Sequence, residues 1–92
     1  MLRITTIERE SGIKELQLSG SISDAWVEEL HECCETWLAA GNTVTIDLKD
    51  VQYADHEGLE LISKLKSRNV TVVRLTPLVA RLIEVHEAQR PE

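Results

Sequence analysis

Two carboxylates and an imidazole stand side by side at Asp55-His56-Glu57, with a further acid at Glu60. Side chains of these types can move protons, hold a cation or meet a basic partner. A relay of Ser23, His56 and Asp55 would need the histidine between the other two with directed hydrogen bonds, a geometry that adjacent residues such as Asp55 and His56 seldom provide. No Gly-x-Ser-x-Gly turn is present to raise a serine nucleophile. His31, His56 and His86 fall in separate segments, no two of them four apart, so nothing in the spacing gathers the three or four ligands of a metal site. Cys33 and Cys34 are neighbours whose side chains diverge by about 100° on a helix, which disfavours a mutual disulfide and leaves two reduced thiols. The chain is therefore expected to carry no catalytic group, metal or cofactor. The acids read first as helix-start residues, with Asp55 as N-cap, Glu57 in the first turn and Gly58 as a close-packing position.

The elements that must position these residues follow from the apolar periodicity. Leu2, Ile4 and Thr6 suggest a first strand, Glu8 to Gly12 a turn, and Ile13 to Ser19 a second strand, together a hairpin. Gly20-Ser-Ile-Ser-Asp leads into a helix from about Asp24 to Ala40, capped by Ser23 or Asp24 and ended by Gly41-Asn42. Its apolar stripe comprises Trp26, Leu30, Cys33 and Trp37, with Val27, Cys34 and Leu38 beside them. Helical spacing places both tryptophans in the core, whereas an exposed Trp26 or Trp37 would point to a self-association face and a homodimer. Val44, Ile46 and Leu48 alternate with Thr45 and Asp47 as a third strand, which passes through a short acidic loop, Asp55 to Gly58, into a second helix from about His56 to Lys66. Glu60 and Lys64 are spaced for an i, i+4 pair. Val70 to Leu75 is a β-branched fourth strand. Thr76-Pro77 then caps and opens a third helix bearing Leu78, Val79, Leu82, Ile83 and His86 on one side, and Gln89 to Glu92 forms a polar tail. The predicted order is β-β-α-β-α-β-α, an α/β fold whose four-stranded mixed sheet has an antiparallel first pair and parallel crossovers after it. Polar Thr45 and Asp47 on the back of the third strand imply helices mainly on one face.

Ninety-two residues suit one domain, 1–92, since a second core would have too few residues to close. Ten Lys and Arg against sixteen Asp and Glu give a net charge of −6, which repels a phosphate backbone and argues against nucleic acid. No run approaches the roughly 20 apolar residues of a membrane helix, and the first residues lack a signal-peptide pattern. A cytoplasmic protein with no direct membrane insertion is expected.

The run Ile46-Asp-Leu through Tyr53-Ala-Asp-His-Glu-Gly-Leu resembles the STAS family of anti-sigma-factor antagonists and sulfate-transporter domains, and the resemblance extends more weakly over almost the whole chain. It implies the STAS fold and a protein-binding role. In that family the corresponding turn is Asp-Ser-Ser-Gly-Leu or Asp-Ser-Thr-Gly-Leu, and the hydroxyl before the glycine is phosphorylated by a partner kinase. Asp55, His56, Glu57, Gly58 and Leu59 match it here, so Glu57 stands at the phosphoacceptor position without a hydroxyl. A carboxylate brings one negative charge where phosphate brings about 1.5 to 2, an imperfect mimic. The family often has Gly-x-aliphatic-Asp before the first helix, where this chain has Gly20-Ser21-Ile22-Ser23, with Asp24 one position later. The resemblance thus implies partner binding through Ser23, Asp24, Asp55, His56, Glu57, Gly58 and Leu59. The partner would be an anti-sigma factor or serine kinase, or the ATPase of an ABC-type lipid transporter. A nucleotide-sensing module is a third alternative, which the acids of the turn disfavour.

Overall fold

A computed structural model describes residues 1–89. The elements run β1 (Leu2–Glu10), β2 (Ile13–Ile22), α1 (Ala25–Ala39), β3 (Thr43–Ala54), α2 (His56–Lys66), β4 (Val70–Val73) and α3 (Pro77–Gln89). The strands form one sheet in the order β1-β2-β3-β4. β1 and β2 are antiparallel, and the β2–β3 and β3–β4 pairs are parallel, each bridged by a helix. This is the expected order and sheet. Of the expected tail, Gln89 ends α3, and the rest lies outside the described residues.

The core lies between the sheet and its helices. Leu16 and Leu18 of β2, and Val44, Ile46 and Leu48 of β3, meet Leu30 and Cys34 of α1, Leu59 and Ile62 of α2, and Val79 and Ile83 of α3. At about 25 cal/mol per Å² of apolar area, each such side chain stabilises the fold by roughly 1.5–3 kcal/mol. Burial also pushes the Cys34 thiol up to about 12 and raises Cys33, so both thiols stay protonated.

β3 is longer than its alternation shows. Opposite β2 its register slips twice, between Gln17 and Ser19 and between Gly20 and Ser21, so that Gln17 pairs with Asp47 but Ser19 with Asp50, and Gly20 with Val51 but Ser21 with Tyr53. Each bulge inserts one residue and turns the strand. The buried face therefore continues as Leu48, Val51 and Ala54, three apart instead of two.

The helix-free face is polar, and it is closed by its own side chains. Glu15 accepts from Arg9 Nε and Nη2, each at 3.0 Å, and from Gln17 Nε2 at 2.9 Å. Asp47 accepts from Lys49 N at 2.9 Å and lies 3.3 Å from Arg74 Nη1. Both carboxylates are buried although no helix covers them. The hydrogen bonds from Arg9, then that from Gln17, lower the Glu15 carboxyl from 4.5 to about 2. A depressed folded-state value means that the stability from Glu15 is complete above about pH 4.5 and is lost as the pH falls towards about 2. Urea unfolding across that range should show a wild-type decline that Glu15→Gln flattens, and parallel curves would refute the assignment.

Two apolar expectations are corrected. Trp26 is exposed at 36%, and Leu78 at 54%. Each lies in the first turn of its helix, where no preceding helical turn packs beside it. Trp37 does pack against the core, with Lys14 Nζ 4.8 Å from its ring centroid.

Candidate functional site

The strand-to-helix junction contains no loop. β3 ends at Ala54, α2 begins at His56, and Asp55 alone joins them. Asp55 is the N-cap, its Oδ1 accepting from Gly58 N at 2.8 Å. The expected acidic loop is thus the cap and first turn of a helix, because a capped start lets the helical backbone begin directly after the strand.

Asp55 also ties two elements together. Its Oδ2 accepts from Asp24 N at 3.1 Å, and its own N–H donates to Ile22 O at 3.1 Å. Parallel pairing places Ile22 opposite Ala54, so the chain leaves β2 and β3 at the same sheet end. Gly58 completes the junction: a Cβ there would stand 2.4 Å from Ile22 O. The β2–α1 turn, the Asp55 carboxylate and the first turn of α2 are thereby one packed unit.

Neither Ser23 nor Asp24 caps α1 as expected. Asp24 occupies the N-cap position, but at φ 55°, ψ −134° its side chain makes no capping bond. The N–H groups that such a cap would serve bond back to the backbone instead, Trp26 N to Ser23 O at 3.1 Å and Val27 N to Asp24 O at 3.2 Å, while the Asp24 N–H donates to Asp55. That backbone region favours glycine, and a non-glycine residue there costs roughly 1–3 kcal/mol. Asp24→Gly should raise stability by about 1 kcal/mol after the entropy that glycine adds to the unfolded chain. Denaturant unfolding checks this, and a loss of stability would show that the Asp24 side chain contributes more than its strain costs.

At this surface Asp24, His56 and Glu57 are exposed and Ser23 is half-buried, while Gly58 and Leu59 lie beneath. Asp55 uses both oxygens on backbone N–H groups, and His56 meets a different partner, so the Ser23-His56-Asp55 relay is not assembled. Among the described residues no group of three or more His, Cys, Asp or Glu is arranged to hold a metal ion.

One grouping escaped sequence reasoning. His86 of α3, buried at 6%, lies edge-on to His56 with ring centroids 5.0 Å apart, and its Nε2 is 3.3 Å from Glu60 Oε2. The Nε2 contact is out of line for a hydrogen bond and becomes an ion pair only when the imidazole is protonated. Thirty residues separate the two histidines, and helical spacing within α3 marks His86 only as core-facing.

Two concavities flank α2. A groove of about 350 Å³ lies towards α1, lined by Val27, Glu28, His31, Glu57, Leu61 and Lys64, with Glu60 between them. A smaller one of about 180 Å³ lies towards α3, between Tyr53, His56, Leu82 and Val85, and Tyr53 and Val85 are exposed. Among the described residues no helix is long and apolar enough to cross a membrane.

The comparisons with known proteins agree with this architecture. The anti-sigma factor antagonist SpoIIAA in its unphosphorylated form superposes with a TM-score of 0.71 at 12% identity, over 89% of this chain and 82% of that one, a likeness of fold. An uncharacterised protein of the DUF3478 family with a SpoIIAA-like fold, from Shewanella loihica PV-4, matches at a TM-score of 0.58 and 14% identity, over 98% and 80% of the two chains. The structure called Mglu matches at a TM-score of 0.58 and 26% identity, over 74% of this chain but only 18% of that one. No curated protein matches the chain in sequence. The family model described as "Mlab, STAS domain" matches residues 6–90, and the chain accordingly belongs to the STAS family.

Proposed function

We propose that this chain is a non-catalytic, cytoplasmic protein-binding module that engages its partner through the first turn of α2 and the adjoining β2–α1 turn. The observation that carries the reading is the Asp55 clamp. By bonding Gly58 N and Asp24 N with one carboxylate, it fixes Asp24, His56 and Glu57 on a common surface. A preorganised surface loses less conformational entropy on binding than a mobile one. Glu57 lacks a hydroxyl to phosphorylate, so that position carries a fixed carboxylate in place of a phosphorylation switch and leaves the module permanently competent, or permanently blocked, for its partner.

The partner class follows the family. Under the first reading it is an anti-sigma factor or serine kinase, and the module acts in transcriptional signalling, as the SpoIIAA likeness supports. A second reading, a subunit seated on the ATPase of an ABC-type lipid transporter, is favoured by Glu57, because a structural subunit needs no phosphorylation switch. Nucleotide sensing ranks below both, since phosphates would meet Glu57 beside Glu60.

Affinity purification of the tagged protein from its native cells, beside Glu57→Ser and Glu57→Arg versions, tests the proposal. Capture of a kinase or anti-sigma protein supports the first reading, and capture of a transporter ATPase the second, with Glu57→Arg losing the partner in either case. Equal capture by all three versions, or by none, would overturn the placement of the surface.

A further inference from the structure

The two flanks of α2 differ in chemistry, and the difference bears on what the partner presents. The α1 flank is a groove of about 350 Å³ running beside two turns of α2, from Glu57 to Lys64, and beside Val27 to His31 of α1. Its floor is apolar, formed by half-buried Val27 and buried Leu61. Among the described residues its lips carry the exposed carboxylates of Glu28 and Glu57 and the ammonium of Lys64, and Glu60 lines it as well. His31 also lines it, 4.0 Å from Glu28 and 3.5 Å from Glu35. Glu60 Oε2 turns to the α3 side, 3.3 Å from His86 Nε2.

We infer that this groove receives an amphipathic helix of the partner protein, with apolar side chains down on Val27 and Leu61 and Lys or Arg side chains reaching Glu28 and Glu57. The inference rests on the proposed use of the α2 first turn and adds the chemistry of the segment that binds there. Three features commit it to that occupant. A channel between two helices accepts anchors spaced i, i+3, i+4 and i+7, the spacing of another helix. Two exposed carboxylates, Glu28 and Glu57, over an apolar floor complement cations borne on an apolar stripe. The same carboxylates, on a chain of net charge −6, repel nucleotides, phosphopeptides and anionic membranes. Among the described residues, two other grooves lack this combination. The one beside β4, of about 340 Å³, has Lys66 as its charged lining residue, and the one on the α3 flank has only its two histidines.

The probe is a synthetic amphipathic helix of about 15 residues, long enough to be partly helical in water, with Leu on one stripe and Lys flanking it. Its counterparts are the same peptide with every Lys replaced by Glu, and vesicles of phosphatidylglycerol. The Leu/Lys peptide should move the backbone amide resonances of residues 27–31 and 57–64, saturably and less at high salt, while the Leu/Glu peptide and the vesicles leave them in place. Glu28→Lys and Lys64→Glu change exposed side chains and leave the core intact. The first should weaken binding of the Leu/Lys peptide about five-fold, and the second should tighten it by a similar factor. Perturbation centred on Tyr53 and Val85, perturbation spread over the whole acidic surface, an equal response to the Leu/Glu peptide, or vesicle binding would each overturn the inference. If the peptide misses the groove while Glu57→Arg still abolishes capture of the cellular partner, the groove assignment falls alone. Capture of no partner by the wild type would instead bring down the reading beneath it.

Discussion

Gly58→Ala should destabilise the protein by about 2–3 kcal/mol, seen as a lower urea midpoint at unchanged slope. The added Cβ would lie 2.4 Å from Ile22 O, 3.0 Å from Ile22 Cγ2 and 3.3 Å from Asp55 Oδ1. The first of these is a backbone atom already engaged, since Ile22 O accepts the Asp55 N–H at 3.1 Å. It cannot swing aside as a side-chain end could, so α2 must move off β2. Alanine returns up to about 1 kcal/mol in helix propensity, which keeps the net loss from being larger. Gly58 is helical, not left-handed, so the substitution isolates the steric term from backbone strain. The same displacement would carry Glu57 away from Asp24, and partner capture should fall even under conditions where the variant stays folded. An unchanged midpoint would mean that α2 and β2 part without cost and that the close approach has no structural role.

Features carried by local rules were legible in the sequence. The order of seven elements, the α2 bounds, the Asp55 cap and the close-packing role of Gly58 each depend on a few neighbouring residues, and the structure repeats them. Thr76 likewise caps α3, accepting from Val79 N at 3.2 Å. What was missed depends on register or on distant pairs. The continuation of β3 to Ala54 was hidden because two bulges change its buried spacing from two to three, which reads as the end of a strand. With the strand cut short, the residues after it took on the appearance of a loop. Asp47 was rightly placed on the sheet's polar face, yet its ion-pair partner is Arg74, which follows β4 at a positive φ of 56°. No local pattern announces such a partner. The pairing of Glu60 with His86 and the tie from Asp24 to Asp55 are long-range in the same way.

These cases share a physical cause. Helix caps and apolar periodicity act within one or two turns, so their signal survives in a short window of sequence. A carboxylate accepting two N–H groups from separate elements exists only once the sheet has set those elements side by side. The candidate site was legible as a set of residue types and illegible as a mechanism. Asp55 looked like a cap, and the structure makes it both a cap and a tie.

That double role sets the largest expected effect of any side-chain truncation at this surface. Asp55→Ala removes the bond to Gly58 N and the bond to Asp24 N together. The cap alone is typically worth about 1 kcal/mol, and the second charge-assisted bond, at an exposed position, about as much again. A total near 2 kcal/mol is expected in urea unfolding. Asp55→Ser separates the two contributions, because a serine hydroxyl can accept from Gly58 N but is too short to reach Asp24 as well. It should recover about half of the loss. Hydrogen exchange distinguishes them residue by residue: the Asp24 amide should lose protection in both variants, and the Gly58 amide only in Asp55→Ala. If the Asp24 amide stays protected in Asp55→Ser, the tie is not what holds the β2–α1 turn, and its strained backbone must be fixed by Trp26 N and Val27 N bonding back to Ser23 O and Asp24 O. If protection is lost as expected while the cap survives, partner capture by Asp55→Ser measures how far binding needs the two turns held together, separately from whether α2 is well started.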